Sequence, residues 1–165
     1  MKIEELIKKI VEFIPAGAQA VPANRELELG LLKTMMMIAA VDGEITKKEI
    51  SCFWQRAKQC EGLDAASLDA VWRSALTSAG YLAMQSLLLS REELVAEFLR
   101  VVDDDFVKRL VPAPHDVRKS AYKCLRAVAE ADGDYSEVEK ACIGALVRHV
   151  KDAWELKVSV QSVHL

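Results

Sequence analysis

The sequence predicts an all-α fold: a single-domain helical bundle of about seven to nine helices with an internal pseudo-twofold repeat. Three observations lead there. Apolar residues make up 52% of the chain, glycine and proline number only 7 and 4, and aromatics are 6%; alanine and leucine dominate, a mix that favours helices over strands. Apolar positions recur at helical spacing along most of the chain. Finally, the string Asp-Gly, any five residues, Glu occurs twice, as Asp42-Gly43-Glu44-Ile45-Thr46-Lys47-Lys48-Glu49 and as Asp132-Gly133-Asp134-Tyr135-Ser136-Glu137-Val138-Glu139, offset by 90 residues. A chain of 165 residues buries roughly 70% of its unfolded surface, so it needs no disulfide or zinc to fold, and residues 1–165 are assigned to one domain.

Ile3, Leu6, Ile7, Ile10 and Val11 mark a short amphipathic first helix; with the loop from Pro15 to Pro22 it fills residues 1–23. Asn24 is placed to cap a second helix reaching about Val41, apolar nearly all round and therefore central. Gly43 ends it. Thr46 starts the next, to about Cys60, where Glu61-Gly62 breaks it. A helix is expected from about Asp64 to Ala79, an interruption at Gly80, and a short helix from Leu82 to Leu89. Ser90-x-x-Glu93 is a capping box that opens a helix to about Val102. Asp103-Asp104-Asp105 opens a further turn or short helix, which Pro112 and Pro114 end. Asp116 is placed to cap the helix ending at Gly133, and Ser136 begins the last long one, to about Trp154. The tail, residues 158–165, alternates like a strand without an obvious partner and is left unassigned.

The 90-residue offset aligns more than the motif. Met35 falls on Leu125, Ile38 on Val128, Ala39 on Ala129, Thr46 on Ser136 and Cys52 on Cys142. The repeat halves are about 25–80 and 115–155. Such a duplication is expected to pack about a pseudo-twofold axis, bringing the two turns near each other.

Several function classes lose support at this level. The net charge is −3, from 22 basic and 25 acidic side chains, which leaves no basic stripe for nucleic acid. The longest apolar run, Met35 to Val41, is far short of the roughly 20 residues of a membrane span. The acidic start Met-Lys-Ile-Glu-Glu-Leu is unlike a signal peptide, so a cytoplasmic protein with reduced thiols is expected, without direct membrane insertion. Cys52, Cys60, Cys124 and Cys142 form no Cys-x-x-Cys pair; His115, His149 and His164 are scattered. Neither zinc-site spacing nor a phosphate loop nor a nucleophile elbow is present. Free cysteines and Met35-Met36-Met37 are expected as core, and Trp54, Trp72 and Trp154 are expected to pack. Paired acids also serve hydrolases, but these lie on short turns with no cleft-forming aromatics near them, and no enzymatic activity is expected.

Much of the repeated motif has a structural reading. Gly43 and Gly133 suit a helix C-terminus, which calls for a left-handed backbone. Thr46-x-x-Glu49 and Ser136-x-x-Glu139 are capping boxes. The aspartates are the remainder: at a helix C-terminus the dipole makes an anion cost about 0.3–1 kcal/mol, and neither capping nor packing asks for an acid there twice. A cation reverses the sign of that effect. The string matches the latter half of an EF-hand loop, but the positions four and two residues before each Asp are Ile38 and Ala40, and Val128 and Glu130, too few oxygen ligands for that loop. Metal ligands would have to be pooled between halves. Carboxylates about 5 Å apart repel by about 3 kcal/mol per pair at an effective dielectric of about 20. An oxygen-only set points to Ca²⁺, Mg²⁺ or Mn²⁺ rather than Zn²⁺ or copper.

The segments Ile38-Ala39-Ala40-Val41-Asp42-Gly43-Glu44-Ile45-Thr46-Lys47-Lys48-Glu49 and Val128-Ala129-Glu130-Ala131-Asp132-Gly133-Asp134-Tyr135-Ser136-Glu137-Val138-Glu139 resemble the two signature segments of the tellurite-resistance TerB family, over roughly residues 25 to 150. The wider TerB-like group includes the N-terminal domain of a membrane-anchored DnaJ-like co-chaperone. The resemblance implies an all-helical fold of about seven or more helices with internal pseudo-symmetry. It implies an acidic divalent-cation site that, by motif position, falls on Asp42, Glu49, Asp132 and Glu139. It also implies a bacterial, cytoplasmic stress-response protein, non-enzymatic, acting through contacts with other proteins, some membrane-associated. The rival expectation is a helical adaptor whose Asp-Gly turns are purely structural and hold no metal.

Overall fold

The computed structural model describes residues 25–60, 63–102 and 104–163. Seven helices run through them and no strand: α1 (Arg25–Ala40), α2 (Lys47–Gln59), α3 (Ala65–Ser86), α4 (Arg91–Val101), α5 (Asp104–Leu110), α6 (His115–Glu130) and α7 (Glu137–Val163). The expected helix and loop of residues 1–23, the Asn24 cap and the Glu61-Gly62 break lie outside the described residues. No described helix is long and apolar enough to cross a membrane.

α1 is the axis of the fold. Apolar residues run round its whole circumference, and everything from Leu31 to Val41 except Lys33 is buried, the three consecutive methionines included. A helix with no solvent face must be covered from several sides, and α1 packs on α2, α3, α5, α6 and α7. Its hydroxyl is satisfied internally: Thr34 Oγ1 donates to the Gly30 carbonyl at 2.7 Å. Phe106 of α5 lies so near α1 that a Cβ on Gly30 would stand 2.7 Å from Phe106 Cβ, so glycine is what lets α5 approach. Phe53 and Trp54 of α2 meet Trp72 of α3 with ring centroids 5.0–5.1 Å apart, within the range of favourable aromatic pairs.

α1 and α3 run parallel. At their starts the Arg25 guanidinium donates to Ser67 Oγ at 2.8 Å; at their ends Ser86 Oγ lies 3.0 Å from where a Cβ on Gly43 would stand. One pole of the bundle therefore gathers the ends of α1 and α3 and the start of α2.

The structure corrects four expectations. Gly80 interrupts nothing: α3 is one 22-residue helix. Glycine inside a helix costs about 1 kcal/mol, but Val71, Ala75, Ala79 and Leu82 are all buried at helical spacing, and continuous packing against α1 outweighs that cost. Asp116 does not cap α6; Pro114 occupies the cap without a side-chain hydrogen bond, its carbonyl accepting from Val117 and Arg118 N–H, while Arg118 Nη1 ties the α5–α6 turn through the Val111 and Ala113 carbonyls. α7 continues past Trp154 to Val163. The alternation of its tail would need a sheet; with no strand among the described residues to join, the backbone satisfies itself as helix. Trp154 is 41% exposed rather than packed away, with Arg118 over its ring at 5.7 Å.

Replacing Gly30 by alanine is expected to force α5 outward. We expect Gly30→Ala to lose about 1–3 kcal/mol, the usual cost of overpacking, as a lower urea midpoint; an unchanged midpoint would mean the α1–α5 contact yields without strain.

Candidate functional site

The two Asp-Gly turns have the same local structure. Gly43 and Gly133 have φ of 88° and 83°, the left-handed region that glycine enters without penalty. Their N–H groups donate to the carbonyls of Ala40 and Glu130 at 2.9 and 3.0 Å, closing α1 and α6. Asp42 Oδ1 accepts from Glu44 N–H at 2.9 Å, and Asp132 Oδ1 accepts from Asp134 N–H at 2.9 Å. Both capping boxes are formed. Thr46 Oγ1 accepts from Glu49 N–H at 3.2 Å while Glu49 Oε1 accepts from Thr46 N–H at 2.8 Å; for Ser136 and Glu139 the values are 3.2 and 2.9 Å.

This corrects one part of the sequence argument. The aspartates are not left without a structural task, because each one's Oδ1 closes an Asx turn at the helix exit. The oxygens without a task belong to the glutamates. Glu49 and Glu139 are both 0% exposed, and the Oε2 of each is buried with no hydrogen-bond partner among the described residues. A capping-box glutamate ordinarily keeps its second oxygen in water; here both are shut in. A buried carboxylate oxygen without a partner carries a desolvation penalty of at least about 1–3 kcal/mol.

The carboxylates of the two turns act on one another across the pole. Burial pushes Glu49 up from 4.5 to about 7; the Thr46 hydrogen bonds oppose the shift, and the charges of Asp42 and Asp132 add to it. Glu139 is raised by burial against its Ser136 hydrogen bonds, with Asp42 and Asp132 adding again. Asp42 is raised first by burial, opposed by the Glu44 N–H, and then by the charges of Asp132, Glu44 and Asp134. Asp132 thus reaches three acids of the set, two of them on the opposite turn. The chemistry of this donor set, all oxygen with two orphaned buried atoms, fits a hard divalent cation. Among the described residues no three His, Cys, Asp or Glu side chains are grouped so as to hold one ion.

A second polar cluster escaped the sequence argument. Glu28 of α1 and Arg56 of α2 form a buried ion pair; Arg56 Nε donates to Glu28 Oε2 at 3.1 Å, and the Cys60 thiol donates to the same oxygen at 3.2 Å. Burial, then the Glu28 charge, pushes Cys60 up to about 12, so the thiol stays protonated and serves as a donor. The signal was legible: Glu28 falls between Leu27 and Leu31 on a helix buried all round, where a carboxylate requires a cation. The other thiols are raised too. Cys142 is fully buried and pushed up to about 12 by burial and the Glu139 charge. Cys52 and Cys124 are raised by burial. Thiols held protonated behave as small hydrophobes.

Compared with known proteins, the chain matches no family model, no curated protein and no solved structure.

Two outcomes are expected. A glutamate whose folded pKa is raised binds its proton more tightly folded than unfolded. Its contribution to stability is therefore fully present below 4.5 and is lost as pH rises through about 7. In chelator, Glu49→Gln is expected to be more stable than wild type at pH 8 and to lose that advantage by pH 4.5, read by urea denaturation at both values. Arg56→Ala is expected to cost about 3–5 kcal/mol at any pH from 6 to 8, because it strands the Glu28 carboxylate.

Proposed function

We propose that this chain is a TerB-like, non-enzymatic stress-response protein of the tellurite-resistance type. In this reading it works in a bacterial cytoplasm and holds a divalent cation, Ca²⁺, Mg²⁺ or Mn²⁺, at the pole where its two Asp-Gly turns end. Asp42, Glu49, Asp132 and Glu139 are the ligands. The single observation that carries the reading is the pair of buried Glu49 and Glu139 oxygens that nothing among the described residues satisfies, both in the field of the same two aspartates. A cation would satisfy those oxygens and offset the repulsion in one step, and by tying the turns together it would stiffen the surface that a partner protein reads. Support for the internal repeat is the matching hydrogen-bond geometry of the turns, with α1 on α6, α2 on α6 and α7 on α1.

The second reading is a helical adaptor with structural turns. It draws on the Asx turns, which occupy one oxygen of each aspartate, and on the lack of three grouped ligands among the described residues.

Asp42→Asn/Asp132→Asn separates the two, because asparagine keeps the Oδ1 acceptor of each turn and removes the charge. The cation reading expects wild type to bind at least one of Ca²⁺, Mg²⁺ or Mn²⁺ in calorimetric titration. Ion at 100 times Kd would then add about 2.7 kcal/mol of stability, and the double variant would lose both effects. Because Glu49 must give up its proton, binding should be weaker at pH 6 than at pH 8. Titrations silent at millimolar metal and both pH values, with equal melting of the two proteins, would leave the adaptor reading in possession.

A further inference from the structure

The enclosure of α1 is complete but for one recess. Of the residues of this helix only Arg25, Glu26, Leu29 and Lys33 escape full burial, and all four line the same hollow of about 400 Å³ between α1, α3 and the start of α5. Two facing stripes make it. Glu26, Leu29, Gly30 and Lys33 on α1 are spaced i, i+3, i+4, i+7. Ser67, Ala70, Val71 and Ser74 on α3 have the same spacing, that of one helix face over two turns. The side chains that α3 offers are small, so the parallel helices do not fill the space between them. Small-molecule sites commonly occupy about 300–1,000 Å³.

The polar groups of the recess are not equivalent. At one end Arg25 donates to Ser67 Oγ at 2.8 Å, and Glu26 is held by Arg109 at 2.9 Å. Two turns on, about 10 Å along the axis, Lys33 comes level with Ser74. Between the ends lie the apolar walls of Leu29, Ala70 and Val71. Lys33 is half-buried. Its ammonium has neither an ion pair nor a hydrogen bond with any described residue. Glu28 and Thr34 of the same helix each have an internal partner; Lys33, alone in the middle of α1, keeps its charge for the recess.

We propose that this recess binds a small monocarboxylate with an apolar body, its carboxylate on Lys33 and its hydrocarbon against Leu29, Ala70 and Val71. The Ser74 hydroxyl donates a hydrogen bond to the same carboxylate. One uncommitted ammonium matches one negative charge, and a lysine is a point charge that asks for no bidentate geometry. The hydrocarbon supplies affinity by burial, at about 25 cal/mol per Å² of apolar surface, while the charge fixes which end enters. The recess lies along the first half of α1, whereas the acidic turn follows its end, so the proposal goes beyond the cation reading and does not require it.

The probes are hexanoate, hexanamide and hexylamine. Each is titrated into the whole isotope-labelled chain and followed by amide chemical shifts in chelator, so that a failed cation site leaves the result untouched. Hexanoate is expected to saturate in the millimolar range, as suits a ligand of its size, and to move the amides of Lys33, Ala70 and Ser74. Lys33→Gln should weaken hexanoate about tenfold or more, the loss of one charge-assisted hydrogen bond, and leave hexanamide unchanged. Lys33→Arg should keep hexanoate binding. Ala70→Leu places a larger side chain in the recess and should weaken hexanoate and hexanamide alike. Ala70 is exposed and Lys33 half-buried, so the melting of these variants should match wild type. Hexanoate that does not saturate would overturn the proposal, as would shifts confined to residues outside the recess. So would full affinity in Lys33→Gln, or hexylamine binding as tightly as hexanoate, which would give the recess to Glu26 and Asp105 instead.

Discussion

The burial of α1 on every side organises this protein. A helix with no face in water has to be enclosed by five others, and each polar group it carries must find its partner inside. Thr34 turns back on the Gly30 carbonyl, and Glu28 recruits Arg56 and the Cys60 thiol. Gly30 is the place where enclosure becomes a matter of tenths of an ångström, because α5 rests directly on the helix backbone. Since α3 runs parallel to α1, the enclosing helices also deliver several chain reversals to one pole.

What collects at that pole is the consequence. Each Asp-Gly turn, taken singly, is a well-satisfied helix exit followed by a well-satisfied helix entry. Side by side on a buried core they become a problem, because the glutamates that complete the capping boxes are drawn fully inside with one oxygen each left over. The contrast with the Glu28–Arg56 pair is instructive. There the protein supplies its own cation, and the carboxylate is satisfied three times over. Among the described residues no lysine or arginine takes that role at the pole, and the field of Asp42 and Asp132 falls on two buried oxygens. A group left in that condition is released by a proton, by a metal ion or by a partner's basic side chain.

Much of the local structure was legible in the sequence. The Ser90 and Thr46 capping boxes, the glycine exits at 43 and 133, and the all-round apolar character of α1 each rest on chemistry within one turn of helix, and each is present. By propensity alone Gly80 is a break, but the packing of Val71, Ala75, Ala79 and Leu82 carries α3 through it. The final residues of α7 alternate like a strand but have no partner to pair with, which left them unassigned in sequence; the structure makes them helix as far as Val163. Asp116 read as a cap although the proline two residues earlier had already begun the helix. At Gly80 a local preference worth about 1 kcal/mol met a tertiary term that exceeded it.

By itself the sequence determined that the described chain is helical, that two of its turns are chemically alike, and that both bring a carboxylate to a helix exit and another to a helix entry, since these follow from residue types at fixed spacing. Only the tertiary structure decided which of those carboxylates is in want. The aspartates drew attention in sequence because they stand at the wrong end of a dipole, yet in space they close their own turns. The glutamates looked accounted for, and they are the ones buried with an unsatisfied oxygen. The reason is physical: hydrogen bonds between near neighbours are written into spacing, whereas solvent exclusion depends on which distant helices arrive to cover a group, and no local pattern records that.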